Sequence, residues 1–205
     1  MSTRTEATRQ KLFVAAMGLI GQRGAAAVTV DEIAAAAGVA KGTVYYNFGS
    51  KNELVAQLLR HGMALLMEAL GPADLAAAHD AGAAPDALGS PLARVREMVA
   101  SALRFIEAYP SFVRLWMGEQ WRPDGTWQPV LAAMRADVLG VIRAALARVA
   151  EESPLRPGQD LDVLATALFG ASFVVGMDRV SSAPAKPLGP AVEAIVGLAA
   201  GAFSG

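Results

Sequence analysis

A short stretch of the chain, KGTVYYNF at residues 41–48, combines side chains suited to contact with a polyanion. Lysine, threonine and tyrosine donate hydrogen bonds to phosphate oxygens, and glycine allows a backbone to approach another surface closely. With flanking positions included, the candidate contacts are Thr29, Lys41, Gly42, Thr43, Tyr45, Tyr46 and Lys51. Singly, a tyrosine pair is often half-buried packing and a lysine is often solvated surface. Their joint occurrence between two helix-capping motifs favours nucleic-acid binding.

The helices that must position these side chains have clear start and stop signals. Thr29 and Glu32 form a Thr-x-x-Glu capping box, which predicts the N-terminus of a helix. Gly38 can adopt the left-handed conformation that ends a helix, so the chain can turn and start a second helix near residue 40. Ser50 and Glu53 repeat the box and predict a third helix.

The middle helix is predicted to have an inner and an outer face. Val39, Val44 and Phe48 are expected to point inward and to hold this helix against its neighbours. Lys51 falls in the first turn of the next helix, where a cation opposes the helix macrodipole. An anion bound opposite Lys51 would account for that placement.

The segment from Thr29 to Leu54, with GVAKGTVYYNFGSKNEL at its centre, resembles the DNA-binding domain of the tetracycline-repressor (TetR) family of transcription regulators. A first helix predicted at residues 5–23 extends the resemblance upstream. The resemblance implies an all-helical homodimer whose C-terminal domain binds a small ligand. This chain has Ala40 where the family often has Ser or Thr, so a capping hydroxyl is absent. DNA binding is then expected to depend more on Thr29, Thr43, Tyr46 and Lys51.

Charge is distributed unevenly along the 205 residues, although the formal net charge is only −1. The first 60 residues hold seven Lys and Arg against four Asp and Glu, a net of +3, and the remainder holds 11 against 15, a net of −4. This polarity would orient the positive part toward a polyanion. Arg4 and Arg9 are expected to reach the DNA backbone or an adjacent minor groove.

Composition argues against several other classes. The chain has no cysteine and only two histidines, His61 and His79, so a metal site, a cofactor and a Ser-His-Asp triad are not expected. A site that pairs His79 with Asp74 or Asp80 stays open beside a solvated loop histidine. The N-terminus lacks the apolar core of a secretory signal, which favours the cytoplasm.

Beyond residue 70 the pattern predicts further helices separated by proline and glycine, and no alternation long enough for a sheet. We therefore predict an all-α fold, with an N-terminal helix-turn-helix DNA-binding domain at residues 1–50 and a helical ligand-binding and dimerisation domain at 51–205. Residues 73–89 are expected to be a loose connection with a possible short helical turn at residues 74–79.

The last two predicted helices, at about residues 160–180 and 189–203, are apolar on every face. Val163 to Met177 contains no charged residue, yet 15 residues are fewer than the roughly 20 needed to span a bilayer. Membrane insertion is therefore not expected. A helix that is apolar all round should be buried all round, so we predict that these two helices form a four-helix interface in a homodimer.

A cluster of aromatic and methionine side chains in the middle helices is the candidate ligand site. All three tryptophans fall within 12 residues, and apolar walls with a few polar groups are typical of small-molecule pockets. Ordinary core packing is the competing interpretation. Arg104, Glu107, Arg114 or Glu119 are candidates to orient a ligand. The candidate lining residues are Met98, Phe105, Tyr109, Phe112, Trp116, Met117, Trp121, Trp127 and Met134.

These observations predict a non-enzymatic DNA-binding transcription regulator. The preferred mechanism is a repressor released from a pseudo-palindromic operator by a small, largely apolar ligand. A ligand-independent or ligand-activated regulator remains an alternative. An all-α enzyme or ligand carrier, or an adaptor that binds a protein, is disfavoured because no acid, base and nucleophile cluster is present and because lysine and threonine suit a polyanion better.

Overall fold

The computed structural model describes residues 3–71, 90–122 and 125–204, and within these ranges every regular element is a helix. Their order is α1 Thr3–Arg23, α2 Val30–Ala37, α3 Lys41–Phe48, α4 Lys51–Leu70, α5 Pro91–Ala108, α6 Pro110–Glu119, α7 Gln128–Glu152, α8 Leu161–Ser181 and α9 Leu188–Ala200. One isolated antiparallel bridge joins Leu155 to Phe203. The predicted all-α fold with an N-terminal helix-turn-helix is confirmed.

Two compact units make up the chain. The first unit contains Met1–Ala64 and Tyr109–Met134, and the second contains Leu65–Ala108 and Arg135–Gly205. The predicted connection at residues 73–89, its possible turn and His79 lie outside the described residues.

The core of the first unit forms where α1 packs against α2 and α6. Leu12, Ile20, Ile33 and Leu54 are almost completely buried there. Helices α1 and α6 approach closely because α1 carries a glycine at the contact: a Cβ added to Gly21 would lie 2.3 Å from the Cβ of Ser111. The backbone carbonyl of Gly21 also accepts a hydrogen bond from Arg114 Nε at 3.1 Å. Helix α6, which is distant from α1 in sequence, is therefore part of the same core.

The second unit is built on α5, which contacts α8 and α9. Gly176 lets α8 lie against α5, since an added Cβ would meet Ile106 Cδ1 at 2.5 Å. Arg179 of α8 is buried and bonds Glu107 of α5 and, at 2.9 Å, the carbonyl of Lys186. The apolar composition of α8 did not predict that a buried arginine of this helix pairs with Glu107, whose side chain is 54% exposed.

Helices α8 and α9 are buried on one face only. Val192, Ile195, Val196 and Ala199 of α9 face the interior. On the opposite faces Val163, Val174 and Leu198 are 68%, 62% and 72% exposed. Burial on all sides is therefore not achieved within one chain.

The length argument against a membrane span was wrong. Helix α8 continues to Ser181 and has 21 residues, which by length and composition are enough to cross a membrane. It is the one such helix in the described part of the chain. A single helix of this kind is weak evidence for a membrane span, because a core helix of a soluble protein can have the same length and composition.

Candidate nucleic-acid interface

The turn between α2 and α3 has the geometry that the sequence predicts. Thr29 Oγ1 accepts the amide of Glu32 at 3.2 Å, and the Glu32 carboxylate accepts the amide of Thr29 at 2.8 Å. Gly38 ends α2 with φ of 67°, the left-handed region, and its amide bonds the carbonyls of Ala34 and Ala35. A sharp, well-bonded turn therefore separates the two helices.

Helix α3 presents a polar and aromatic outer face. Val44 and Phe48 are buried, and Tyr45 and Tyr46 are 46% and 86% exposed. Lys41 and Gly42 are also exposed, and Thr43 is half-buried. The N-cap, Ala40, makes no side-chain hydrogen bond. Helix α3 therefore has an inner face that anchors it and an outer face that is open to a ligand.

Lys41 forms an ion pair with an acidic side chain of α2. Its Nζ donates to Asp31 Oδ2 of α2 at 2.9 Å, and this hydrogen bond raises the pKa of Lys41. Both side chains are exposed, so the pair contributes little to stability. Asp31 thus holds a carboxylate beside a candidate phosphate contact.

Lysine 51 begins α4, and its side chain is half-buried. Ser50 Oγ accepts the amide of Glu53 at 3.1 Å, which caps the helix as the second box predicts. The Glu53 carboxylate accepts hydrogen bonds from Gln57 and Arg60, and these lower its pKa.

Residues 12–58 match the family model described as bacterial regulatory proteins, tetR family. This match covers the capped helices and the exposed α3 described above. Over these residues the chain is similar to the tetR family of bacterial regulatory proteins.

Two solved structures of transcriptional regulators share the fold over nearly the whole chain. A TetR-like transcriptional regulator from Rhodococcus sp. RHA1 is 23% identical, with a TM-score of 0.71 over 94% of this chain and 93% of that one. FadR from Bacillus subtilis, solved in complex with stearoyl-CoA, is 16% identical, with a TM-score of 0.72 over 93% and 96%. At these identities the likeness concerns the fold.

A curated relative is the HTH-type transcriptional regulator BetI of Rhizobium meliloti. It is 33% identical over 113 residues, which are 55% of this chain and 50% of that protein. The chain therefore matches about half the length of this transcriptional regulator.

Several residues that were expected to contact DNA form hydrogen bonds within the chain that the sequence did not reveal. Arg9 was expected to reach DNA, but it donates to Asn47 O and to Gln57 Oε1. The side chain of Arg4 lies outside the described residues. Thr29 Oγ1 also donates to Glu32 Oε2, so its hydroxyl is committed to the capping box.

The candidate ligand residues fall in both units. Met98 and Phe105 belong to the second unit, and the others belong to the first. Phe112 and Trp116 contact each other with ring centroids 6.1 Å apart, and both are buried. Tyr109 and Trp121 are 43% and 63% exposed. The buried members are: Met98, Phe105, Phe112, Trp116, Trp127 and Met134.

One open cleft of about 570 Å³ in the first unit brings Trp121 and Trp127 together beside Lys51. Trp127 is fixed there, since its indole nitrogen donates to the carbonyl of Asn52 at 3.0 Å. The cleft also includes Glu119 and Arg122, which form an ion pair at 3.4 Å.

The residues suggested to orient a ligand already have partners. Arg104 bonds Glu97, and Arg114 bonds Gly21 O and Ser111. Glu107 and Glu119 pair with arginines as described above. His61 is exposed on α4 and stacks on Phe13. Over the described residues, no group of three or more His, Asp or Glu side chains could hold a metal ion.

Low pH should destabilise the contact between α1 and α2, because it protonates the Glu32 carboxylate that binds Arg23. The hydrogen bond from Arg23, supported by those from Thr29, lowers the pKa of Glu32 from 4.5 to about 2. A lowered folded-state pKa means that the ionised carboxylate stabilises the fold fully above pH 4.5, and that this contribution is lost as pH falls to about 2. We expect Glu32→Gln to be less stable than wild type at pH 7, with a difference that shrinks below pH 4.5. Urea unfolding at stepped pH measures this, and a pH-independent difference would contradict it.

On the hypothesis that α3 binds DNA, removal of the Asp31 carboxylate should strengthen that binding. Asp31→Asn frees Lys41 and removes a negative charge from the same surface, so operator affinity is expected to rise by about two- to fivefold per subunit, the scale of an exposed ion pair. Fluorescence anisotropy with labelled duplex measures the affinity. Glu97→Gln, which breaks an exposed pair with Arg104 in the second unit, is the control and should change nothing. Unchanged or weaker binding by Asp31→Asn would exclude competition between Asp31 and DNA for Lys41.

Proposed function

We propose that this protein is a cytoplasmic, DNA-binding transcription regulator that reads a pseudo-palindromic operator with α3. The exposed outer face of α3 is the observation that carries the proposal. Tyr46, 86% exposed on a helix whose inner face is buried, has no packing role that would explain its size. In this proposal Lys41, Gly42, Thr43 and Tyr45 contact the duplex beside it, and Lys51 binds a flanking phosphate. Thr29, predicted as a further contact, gives its amide and its hydroxyl proton to Glu32 and holds the capping box of α2 instead.

The active form is proposed to be a homodimer formed by α8 and α9. Three large aliphatic side chains on these helices are more than 60% exposed, and a second copy of the same surface would cover them. A twofold axis would place two α3 helices in successive major grooves about 34–36 Å apart, which explains a palindromic site. A monomeric mass in sedimentation at micromolar concentration would exclude this arrangement.

Control is proposed to be release of a repressor by a small, largely apolar ligand. Stearoyl-CoA in the FadR structure supports an effector with an apolar part, since it joins a long hydrocarbon chain to a charged coenzyme. The open cleft with Trp121 and Trp127 touches Lys51 and Asn52 at the start of α4, so a ligand there would contact the helix that follows α3. The remaining predicted lining residues stay candidates. Residues 1–50 would serve DNA and residues 51–205 would serve ligand and dimerisation.

The mechanism is a population shift. The ligand would favour a conformation in which α4 pivots and changes the spacing of the two α3 helices. Linkage then requires operator DNA to weaken ligand binding by the same factor by which ligand weakens DNA binding. A ligand whose affinity did not change at saturating operator would point instead to a ligand-independent regulator. If ligand and operator each strengthened the binding of the other, the protein would be a ligand-activated regulator.

Selection of bound duplexes from a random pool tests the DNA-binding function directly. The purified protein should enrich a palindrome, and Tyr46→Ala, run in parallel, should not. If the folded wild-type protein enriched no sequence, a ligand carrier or a protein adaptor would become the better interpretation. An adaptor would bind its partner through Tyr45 and Tyr46, and its binding would lack the steep salt dependence of a DNA complex.

A further inference from the structure

Arg9 of α1 contacts both helices that flank the turn after α3. Its Nη1 donates to the carbonyl of Asn47 at 3.4 Å, and its Nη2 donates to Gln57 Oε1 of α4 at 2.7 Å. The guanidinium carbon lies 5.0 Å from the ring centroid of Phe48, within the range of a cation–π interaction. One side chain therefore joins α1, α3 and α4.

These contacts fall on the parts of α3 that determine its position. Phe48 is 4% exposed and is, with Val44, the buried anchor of the helix. Asn47 is in the last turn, where backbone carbonyls lack helical partners and where a cation interacts favourably with the helix dipole. The inner face of α3 holds only two buried side chains on eight residues, so its orientation depends on contacts of this kind.

We propose that Arg9 is a positioning residue for α3: it orients the DNA-reading helix against α1 and α4 and does not itself contact DNA. This inference rests on the proposed DNA-binding function. Without Arg9, α3 would sample additional orientations, and the apparent affinity for operator would fall in proportion to the fraction of molecules in the competent one. The loss should be about tenfold, the scale of one charge-assisted hydrogen bond.

Lysine should not replace arginine in this role. A guanidinium donates in two directions at once while its plane packs on a ring, whereas an ammonium is a single compact charge. If Arg9 instead bound a phosphate, Lys would retain most of the contact. Arg9→Lys therefore distinguishes a positioning role from a DNA contact.

The experiment compares wild type, Arg9→Ala, Arg9→Lys and the control Lys11→Ala, which removes the same charge from an exposed position on α1. Operator and random-sequence duplexes are titrated over a series of salt concentrations. We expect both Arg9 variants to lose about tenfold in operator affinity, with little change for random DNA and an unchanged salt slope. Near-wild-type binding by Arg9→Lys, together with a shallower salt slope for Arg9→Ala, would overturn the proposal.

Amide hydrogen exchange tests the same inference without DNA. In Arg9→Ala and Arg9→Lys, peptides covering α3 should exchange faster than in wild type, whereas those covering α6 should not change. Unchanged exchange in α3 would overturn the positioning role whatever the DNA result. If wild type bound no duplex, the proposed function would fail, and the exchange data alone would decide the role of Arg9.

Discussion

Tyr46→Ala is expected to weaken operator binding by about a hundredfold in the dimer. A hydrogen bond to a charged phosphate is worth about 1.5–3 kcal/mol, at least about tenfold per subunit, and two subunits contribute. Tyr46 is 86% exposed, so its removal leaves no cavity and the melting temperature should not change. Anisotropy titrations at several salt concentrations measure both affinity and salt slope.

Two companion variants separate the chemical origins of that loss. Tyr46→Phe keeps the ring and removes the hydroxyl. If the hydroxyl binds phosphate, this variant should show most of the affinity loss expected for Tyr46→Ala. Lys51→Ala should lower both the affinity and the salt slope, because a lysine that neutralises a phosphate releases counterions. If Tyr46→Ala and Lys51→Ala left affinity and slope as in wild type, the phosphate contacts assigned to these residues would be wrong.

Two glycines of α1 should respond in opposite directions to the same substitution. In Gly21→Ala the new Cβ would lie 2.3 Å from the Cβ of Ser111 and 2.7 Å from its Cα, so α1 and α6 must move apart. Overpacking of this kind costs about 1–3 kcal/mol in the free energy of unfolding, or more when backbone must shift. Gly18 has no atom within 4 Å of an added Cβ, and Gly18→Ala should stabilise by up to about 1 kcal/mol through helix propensity.

Urea unfolding of the two variants under identical conditions measures the difference. Gly18→Ala serves as the matched control. It is the same substitution in the same helix, but the added Cβ meets no neighbouring atom. Because α6 packs on α1 in the unit that holds α3, Gly21→Ala should also lower operator affinity. Equal shifts in the same direction would show that α1 and α6 do not pack as closely as the structure has them.

The local structure of the helix-turn-helix could be predicted from sequence because its signals act over a few residues. The Thr29 and Glu32 box, the left-handed Gly38 and the uncapped Ala40 were each predicted and are observed. Hydrogen bonds over three or four residues depend on residue type and spacing alone. Pro110 at the start of α6 and the hydroxyl of Ser90, which accepts the amide of Ala93 before α5, are local signals of the same kind.

Hydrogen bonds between residues that are distant in sequence could not be predicted from local patterns. Arg9 was expected to face DNA, yet it bonds residues 38 and 48 positions away. Arg179 follows the uncharged run of α8, yet its side chain is buried and bonds Glu107, 72 positions away. A side chain's partner is decided by which helices pack together, and no local pattern specifies that.

The sequence by itself determined the all-α class, the helix-turn-helix and the character of the outer face of α3. Periodicity, caps and turn residues are local properties, and they suffice for these features. Only the tertiary structure decided that Gly21 is a close contact while Gly18 is open, that Asp31 holds Lys41, and that α8 and α9 keep one apolar face exposed. These features depend on which surfaces meet, and that follows from packing across the whole chain.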